Sequence, residues 1–131
     1  MTTGAHPHEV MLDQIKEEFA DIFQHSNQGV YIYMDDPHWI RNDRLATMLG
    51  YASAAELHSL ASASPFLDVT VAAESQERVV KAYMNSVNNK AASSITATWM
   101  KKGGGTVNTE TIFVPISYGG TPLTIHFVTP T

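Results

Sequence analysis

The sequence has 131 residues, 44% hydrophobic and 16% charged, with a formal net charge of −5 and no cysteine. That is the length of one domain, enough for folding to bury roughly two-thirds of the surface an unfolded chain exposes. The composition excludes disulfides, thiolate metal sites and cysteine nucleophiles, and with only Lys101 and Lys102 adjacent among the cations it offers no basic stripe for nucleic acid or an anionic membrane.

Residues 1–7 read as a flexible polar tail without the apolar core of a signal peptide. No later run approaches the ~20 apolar residues of a membrane span, so a cytoplasmic protein is expected. Over 8–24 the spacing of Leu12, Ile15, Phe19 and Ile22 predicts an amphipathic helix, suited to docking on a sheet or on a partner. Residues 25–129 form the domain proper. Val30 to Met34 is a β-branched and aromatic strand, Asp35-Asp36-Pro37 turns the chain, and Trp39-Ile40 starts a second strand. Asn42 or Asp43 caps a short helix over Arg44 to Leu49, and Gly50 stands at a left-handed exit. Ser53 and Glu56 form a capping box for the next short helix. Pro65 opens a single turn anchored by Phe66 and Leu67, and a longer helix runs from about Glu74 to Val87 with Val79, Val80, Tyr83 and Val87 on its apolar side.

The last third changes period. Ile95, Ala97 and Trp99 alternate with threonines, Lys101 to Gly105 is a hairpin loop, and Tyr118-Gly119-Gly120 is a second turn before Leu123, Ile125 and Phe127. Two strands, several helices and a three-strand meander make an α+β chain with one five-stranded antiparallel sheet. The N-terminal helix is left to cover the free face of that sheet or a dimer mate.

In this order the chain resembles the PAS family. Gly29-Val30-Tyr31-Ile32 looks like that family's opening strand, and Trp39-Ile40-Arg41-Asn42 like its second. Met48-Leu49-Gly50-Tyr51 carries the "LGY" signature, Glu56-Leu57 is similar to the "EEL" segment, and Pro65-Phe66 to the turn after it. Lys101-Lys102-Gly103-Gly104 resembles the "KDG" hairpin without its Asp, and Pro115-Ile116 with Tyr118-Gly119-Gly120 the "PI…G" turn. The likeness spans about Phe19 to Val128. Many members close with an Asp-Ile-Thr-like segment where this chain has Phe127-Val128-Thr129-Pro130-Thr131, which fits a stand-alone protein or a piece of a longer sensor.

The resemblance implies a sensory signalling module, working as a homodimer and with an effector protein, with no catalysis of its own. The partner surface would be Leu12, Ile15, Phe19 and Ile22, joined by His126, which strand alternation sets opposite Ile125 and Phe127 on the outer face of the sheet; the alternative for His126 is a polar contact to a pocket ligand or a pH-sensitive latch. A dedicated receptor for a small molecule or cofactor is the alternative. Its pocket would be lined by Val30, Ile32, Met48, Leu49, Phe66, Val79, Tyr83, Ile95, Ala97, Trp99, Ile125 and Phe127, unless those side chains fill a solid core. Without cysteine, neither a flavin adduct nor a thioester chromophore is available. The long helix also lacks the histidine that haem-binding members use, leaving His58 on a short helix as the nearest substitute, so the cofactor stays unassigned. A third reading, a small cone-shaped α+β enzyme, needs a buried acid–base couple, for which Glu110 and His126 are the candidates. His25, His38, His58 and His126 show no metal-ligand spacing, and His6-Pro7-His8, which could hold a stray metal, reads as an inert pair in the flexible tail.

Overall fold

The computed structural model describes residues 7–35, 38–61 and 66–131. Most of the 1–7 tail lies outside them, as do parts of the turns at Asp35-Asp36-Pro37 and before Phe66. In chain order the elements are α1 (Pro7–Glu18), α2 (Ala20–His25), β1 (Gly29–Asp35), β2 (His38–Arg41), α3 (Asp43–Met48), α4 (Ala54–Ala61), α5 (Phe66–Thr70), α6 (Ala73–Asn89), β3 (Ser93–Met100), β4 (Thr106–Tyr118) and β5 (Thr121–Pro130). The strands form one antiparallel sheet in the order β2-β1-β5-β4-β3, so the first and last strands are neighbours at its centre.

The N-terminal helix is interrupted at Phe19, where the backbone turns to φ −101, ψ 14. The amide of Phe19 still reaches the carbonyl of Ile15 at 2.8 Å, and the amide of Phe23 reaches that of Phe19 at 3.1 Å. The break is therefore a bend, which carries Phe19 and Phe23 onto the same apolar cluster as Leu12 and Ile15.

Both faces of the sheet are covered. On one face α1 packs Leu12 and Ile15 against Val30, Ile32, Ile40, Leu123 and Ile125. On the other, α3 to α6 close over Tyr31, Trp39, Ala97, Trp99, Phe113 and Val128. Leu12 and Ile15 thus meet their own sheet, and each fully buried aliphatic side chain contributes about 1.5–3 kcal/mol.

Asn42 joins the two halves of this arrangement. It is 4% exposed, and its Oδ1 accepts from the amides of Leu45 at 3.0 Å, capping α3, and of Val30 at 2.9 Å. Its Nδ2 donates to the carbonyl of Gln28 at 3.0 Å. Eight residues on, Gly50 takes φ +87 to leave α3, a conformation costly to side chains with a Cβ. The next amide, of Tyr51, returns to the carbonyl of Ala46 at 2.9 Å. In the Ser53–Glu56 box one arm is as expected, the amide of Glu56 donating to Ser53 Oγ at 3.2 Å. The other arm is shifted by one residue: Glu56 Oε1 accepts from the amide of Ala52 at 2.8 Å. That hydrogen bond first, and Lys102 second, hold the Glu56 carboxyl below the usual carboxylate range.

Gly29 is required for a different reason. A Cβ there would lie 3.0 Å from Leu45 Cδ1 and 3.1 Å from its Cα, because α3 crosses directly over the start of β1. Gly29→Ala is expected to lower stability by about 1–3 kcal/mol, read from the urea midpoint. A loss under ~0.5 kcal/mol would mean that α3 is not held at this separation.

Candidate functional site

Strand alternation sends Tyr31 and Tyr33 of β1, and His126 of β5, toward α6. On α6, Val79 and Tyr83 are four residues apart and share one helix face. With Val80 and with Leu67 from α5, these side chains line a half-open, mostly apolar cavity of about 210 Å³. Hydrogen bonds hold the helix in place around it. Ser86 Oγ lies 2.7 Å from Thr124 Oγ1, Ser75 Oγ accepts from the amide of Thr98 at 2.9 Å, and Gln76 Nε2 donates to the carbonyl of Val71 at 3.1 Å.

His126 is the polar centre of the cavity wall. It is 1% exposed and pairs directly with Tyr31 across the ladder. The two rings stack at 3.9 Å between centroids with 7° between planes. Phe113 meets the imidazole edge-on at 4.8 Å, and the Tyr83 ring lies nearly parallel to it at 6.1 Å. Nδ1 of His126 is 3.1 Å from the carbonyl oxygen of Tyr31. A carbonyl only accepts, so Nδ1 carries the proton and Nε2 is left with a lone pair. Burial presses the imidazole down to about 3, against a smaller upward pull from that hydrogen bond, so the ring is neutral. Burial, then Tyr83, pushes the Tyr31 phenol well above its ordinary value. The site is therefore uncharged, aromatic, and equipped with a hydrogen-bond acceptor.

Of the residues expected to line a pocket, Val79 and Tyr83 do so. Leu49, Ala97 and Trp99 are buried in the core on that side, and Met48 and Ile95 are partly buried against it. The side chain of Phe66 lies outside what the structure describes. Val30, Ile32 and Ile125, with Phe127 partly buried beside them, belong to the opposite face under α1. His126 is correspondingly on the inner face, not the outer one. The alternation of β1 and β5 is real, but its phase is the reverse of the one expected. Tyr31, Tyr33, Leu67 and Val80 were missed as lining residues. Gly29 is the signal for the right phase, since 29, 31 and 33 share the face that α3 approaches closely.

Among the expected partner residues, Leu12 and Ile15 are buried at 6% and 0% exposure, Phe19 is partly buried, and Ile22 is exposed. Glu110 and His126 do not form an acid–base couple. Glu110 alternates with Thr111, which pairs with Val128 on the inner face, and its carboxylate accepts from Ser94 Oγ at 3.0 Å in an exposed position. Among the described residues no group of His, Asp or Glu is placed to hold a metal ion. Among them, too, no helix is long and apolar enough to cross a membrane.

No protein-family model matches the sequence, and no curated protein matches it. The likeness is to solved structures. A PAS domain of a protein from Colwellia psychrerythraea superposes with a TM-score of 0.68 at 17% identity, covering 89% of this chain and 97% of that one. The chain has the PAS fold. A PAS domain from a two-component sensor histidine kinase gives a TM-score of 0.62 at 11% identity over 91% of this chain and 99% of that one. The PAS domain of a LuxR-family transcriptional regulator from Burkholderia thailandensis, in complex with ethanol, also gives 0.62, at 13% identity over 86% and 96%. At these identities the match is one of fold. It agrees with the sheet order and with the helices α3 to α6 packed on one face, while what this PAS fold binds is a matter for its own residues.

Proposed function

We propose that this PAS fold is a sensory signalling module that takes a small, largely apolar ligand in the cavity between α6 and the inner face of the sheet. The observation that carries the proposal is the cavity itself, with neutral His126 in its wall. A ligand bearing one O–H or N–H group satisfies the Nε2 lone pair while its apolar part lies against Val79, Leu67 and the tyrosines. The volume argues for a small occupant. About 210 Å³ is below the roughly 300–1,000 Å³ of pockets for drug-sized ligands. The ethanol held by the Burkholderia thailandensis domain is of the expected size class, and the sensor-kinase neighbour supports a signalling role.

Homodimerisation through the N-terminal helices remains part of the proposal, on a smaller surface than the sequence suggested. Leu12 and Ile15 are occupied within the chain, which leaves Val10 at 46% exposure and Ile22 at 43% as apolar contacts. In this scheme ligand binding alters how α1 and α2 pack on the sheet, and a partner reads the change.

Native mass spectrometry combined with an alcohol titration followed on the His126 ring resonances tests both parts. The expected result is a dimer that becomes monomeric in Ile22→Glu. Ring shifts should saturate with ethanol or butanol in the wild type and be lost in Val79→Trp, which fills the cavity. Equal alcohol shifts in Val79→Trp would remove the cavity from the proposal. A dimer that survives Ile22→Glu at micromolar concentration would remove the helices.

A further inference from the structure

A second concave site lies at the other end of the molecule, along the free edge of β2. It is a groove of about 590 Å³ between α1–α2 and α3–α4. Its charged lining consists of Lys16 from α1, Arg41 from β2, Asp43 and Arg44 from α3, and His58 from α4. Three of the eight Lys and Arg of an acidic chain therefore converge here, with a histidine beside them. Among the described residues the single lining carboxylate is Asp43, which accepts from the amide of Ala54 at 2.8 Å.

Among the described residues only Asp43 offsets this positive charge, and it does so in part. Among the described residues Lys16, Arg41 and Arg44 form no ion pair; the ion pairs there are Lys81–Glu77 and Lys102–Glu56. Arg41 stacks over the Trp39 ring, with Cζ 4.2 Å from its centroid, and donates through Nη2 to the Trp39 carbonyl. Its Nε and the Nδ1 of His58 are buried without a hydrogen-bond partner. Burial lowers the Arg41 guanidinium to about 10. Burial first, then the charges of Arg41 and Lys16, lower the His58 imidazole. A desolvated cation with no counter-charge is costly, and structures that retain one generally bring an anion to it.

We propose that the β2-edge groove binds a small soluble oxyanion, a phosphate or carboxylate group, held by Lys16, Arg41, Arg44 and His58. The site is separate from the α6 cavity and does not depend on that reading. An arginine fork supplies paired donors to an oxyanion, and Lys16 and protonated His58 supply charge. Binding tightens as His58 takes up its proton, and by linkage a bound anion raises the His58 pKa. The other charged groups facing His58 are Lys16, Arg41 and Arg44, which favour the anion, and Asp43, which opposes it.

The test is titration of the full chain with inorganic phosphate and, separately, with citrate, at an ionic strength held constant by sodium chloride, observing the His58 ring by NMR. Saturable shifts are expected with both or either anion, together with a higher His58 pKa at saturation. Lys16→Gln and Arg44→Gln are each expected to weaken binding at least tenfold, while Lys101→Gln, outside the groove, leaves it unchanged. Tighter phosphate assigns a phosphorylated ligand, and tighter citrate a carboxylate one. Shifts no larger than those from chloride alone, or an equal weakening in Lys101→Gln, would overturn the proposal.

Discussion

Taking the protein from about pH 7 to about pH 5 is expected to cost it about 2 kcal/mol of stability, through His126. In the native state this ring is buried, donates through Nδ1 to the Tyr31 carbonyl, and resists protonation down to about 3. In the unfolded chain a histidine takes its proton near 6.5. Between those values the unfolded state holds one proton more than the native state. Stability from this group is therefore complete above about 6.5 and is lost as the pH falls, by about 1.4 kcal/mol per unit once well below it. His58 is shifted in the same direction by burial, Arg41 and Lys16, and adds to the slope. Urea unfolding at closely spaced pH values, compared between wild type and His126→Gln, isolates the His126 share. The variant starts lower in stability but has a flatter dependence between about pH 5 and 7. Parallel curves would mean that His126 takes up its proton in the folded protein as readily as in the unfolded chain, and the buried, unprotonated cavity wall would be wrong.

Asn42→Ala is expected to remove about 3 kcal/mol. Loss of a side-chain cap costs about 0.5–2 kcal/mol, and the amide of Val30, buried at the centre of the sheet, adds roughly 1–3 kcal/mol when its acceptor disappears. For a domain of this length that is a fall in Tm of about 12 °C. Asn42→Asp separates the contributions. It keeps an acceptor for Leu45 and Val30 but sets a carboxylate against the Gln28 carbonyl, so an intermediate loss is expected. A loss under ~1 kcal/mol for the alanine variant would show that water replaces the side chain and that Asn42 is not the joint between β1 and α3.

The order of elements was legible because its punctuation is local. Asn42, Gly50, the Ser53–Glu56 pair and the Gly119-Gly120 turn each act within a few residues, and each stands where the sequence suggested. Which face of the sheet is which was harder to read. Alternation reports a buried face only when the other face is wet. In Val30-Tyr31-Ile32-Tyr33 and in Leu123-Thr124-Ile125-His126 both faces are covered, one by α1 and one by α6. The aliphatic residues look like the interior, yet here they lie under α1, while the aromatic and polar set forms the cavity wall. Burial also reverses the usual expectation for a mid-strand histidine, which is stacked and neutral instead of solvated. The β2-edge groove had no sequence signal at all. Lys16, Arg41, Arg44 and His58 come from four elements with no common period, and only the tertiary fold brings them together.

The central position of β1 has a consequence for how the protein is made. Gly29 pairs with Val128 and Ile32 with Ile125, so the first strand waits for the last before its second edge is satisfied. At about 5–20 residues per second a ribosome takes roughly 5–20 s to supply the intervening stretch. Throughout that interval the β1–β2 hairpin presents an open hydrogen-bonding edge flanked by Val30, Tyr31 and Ile32, the kind of surface on which chains associate wrongly. The helices α3 to α6 emerge in the meantime and have only half a sheet to cover. Folding of this chain is thus tied to completion of its last ten-residue strand, and premature release before Thr121 leaves β1 and β4 without the strand that joins them.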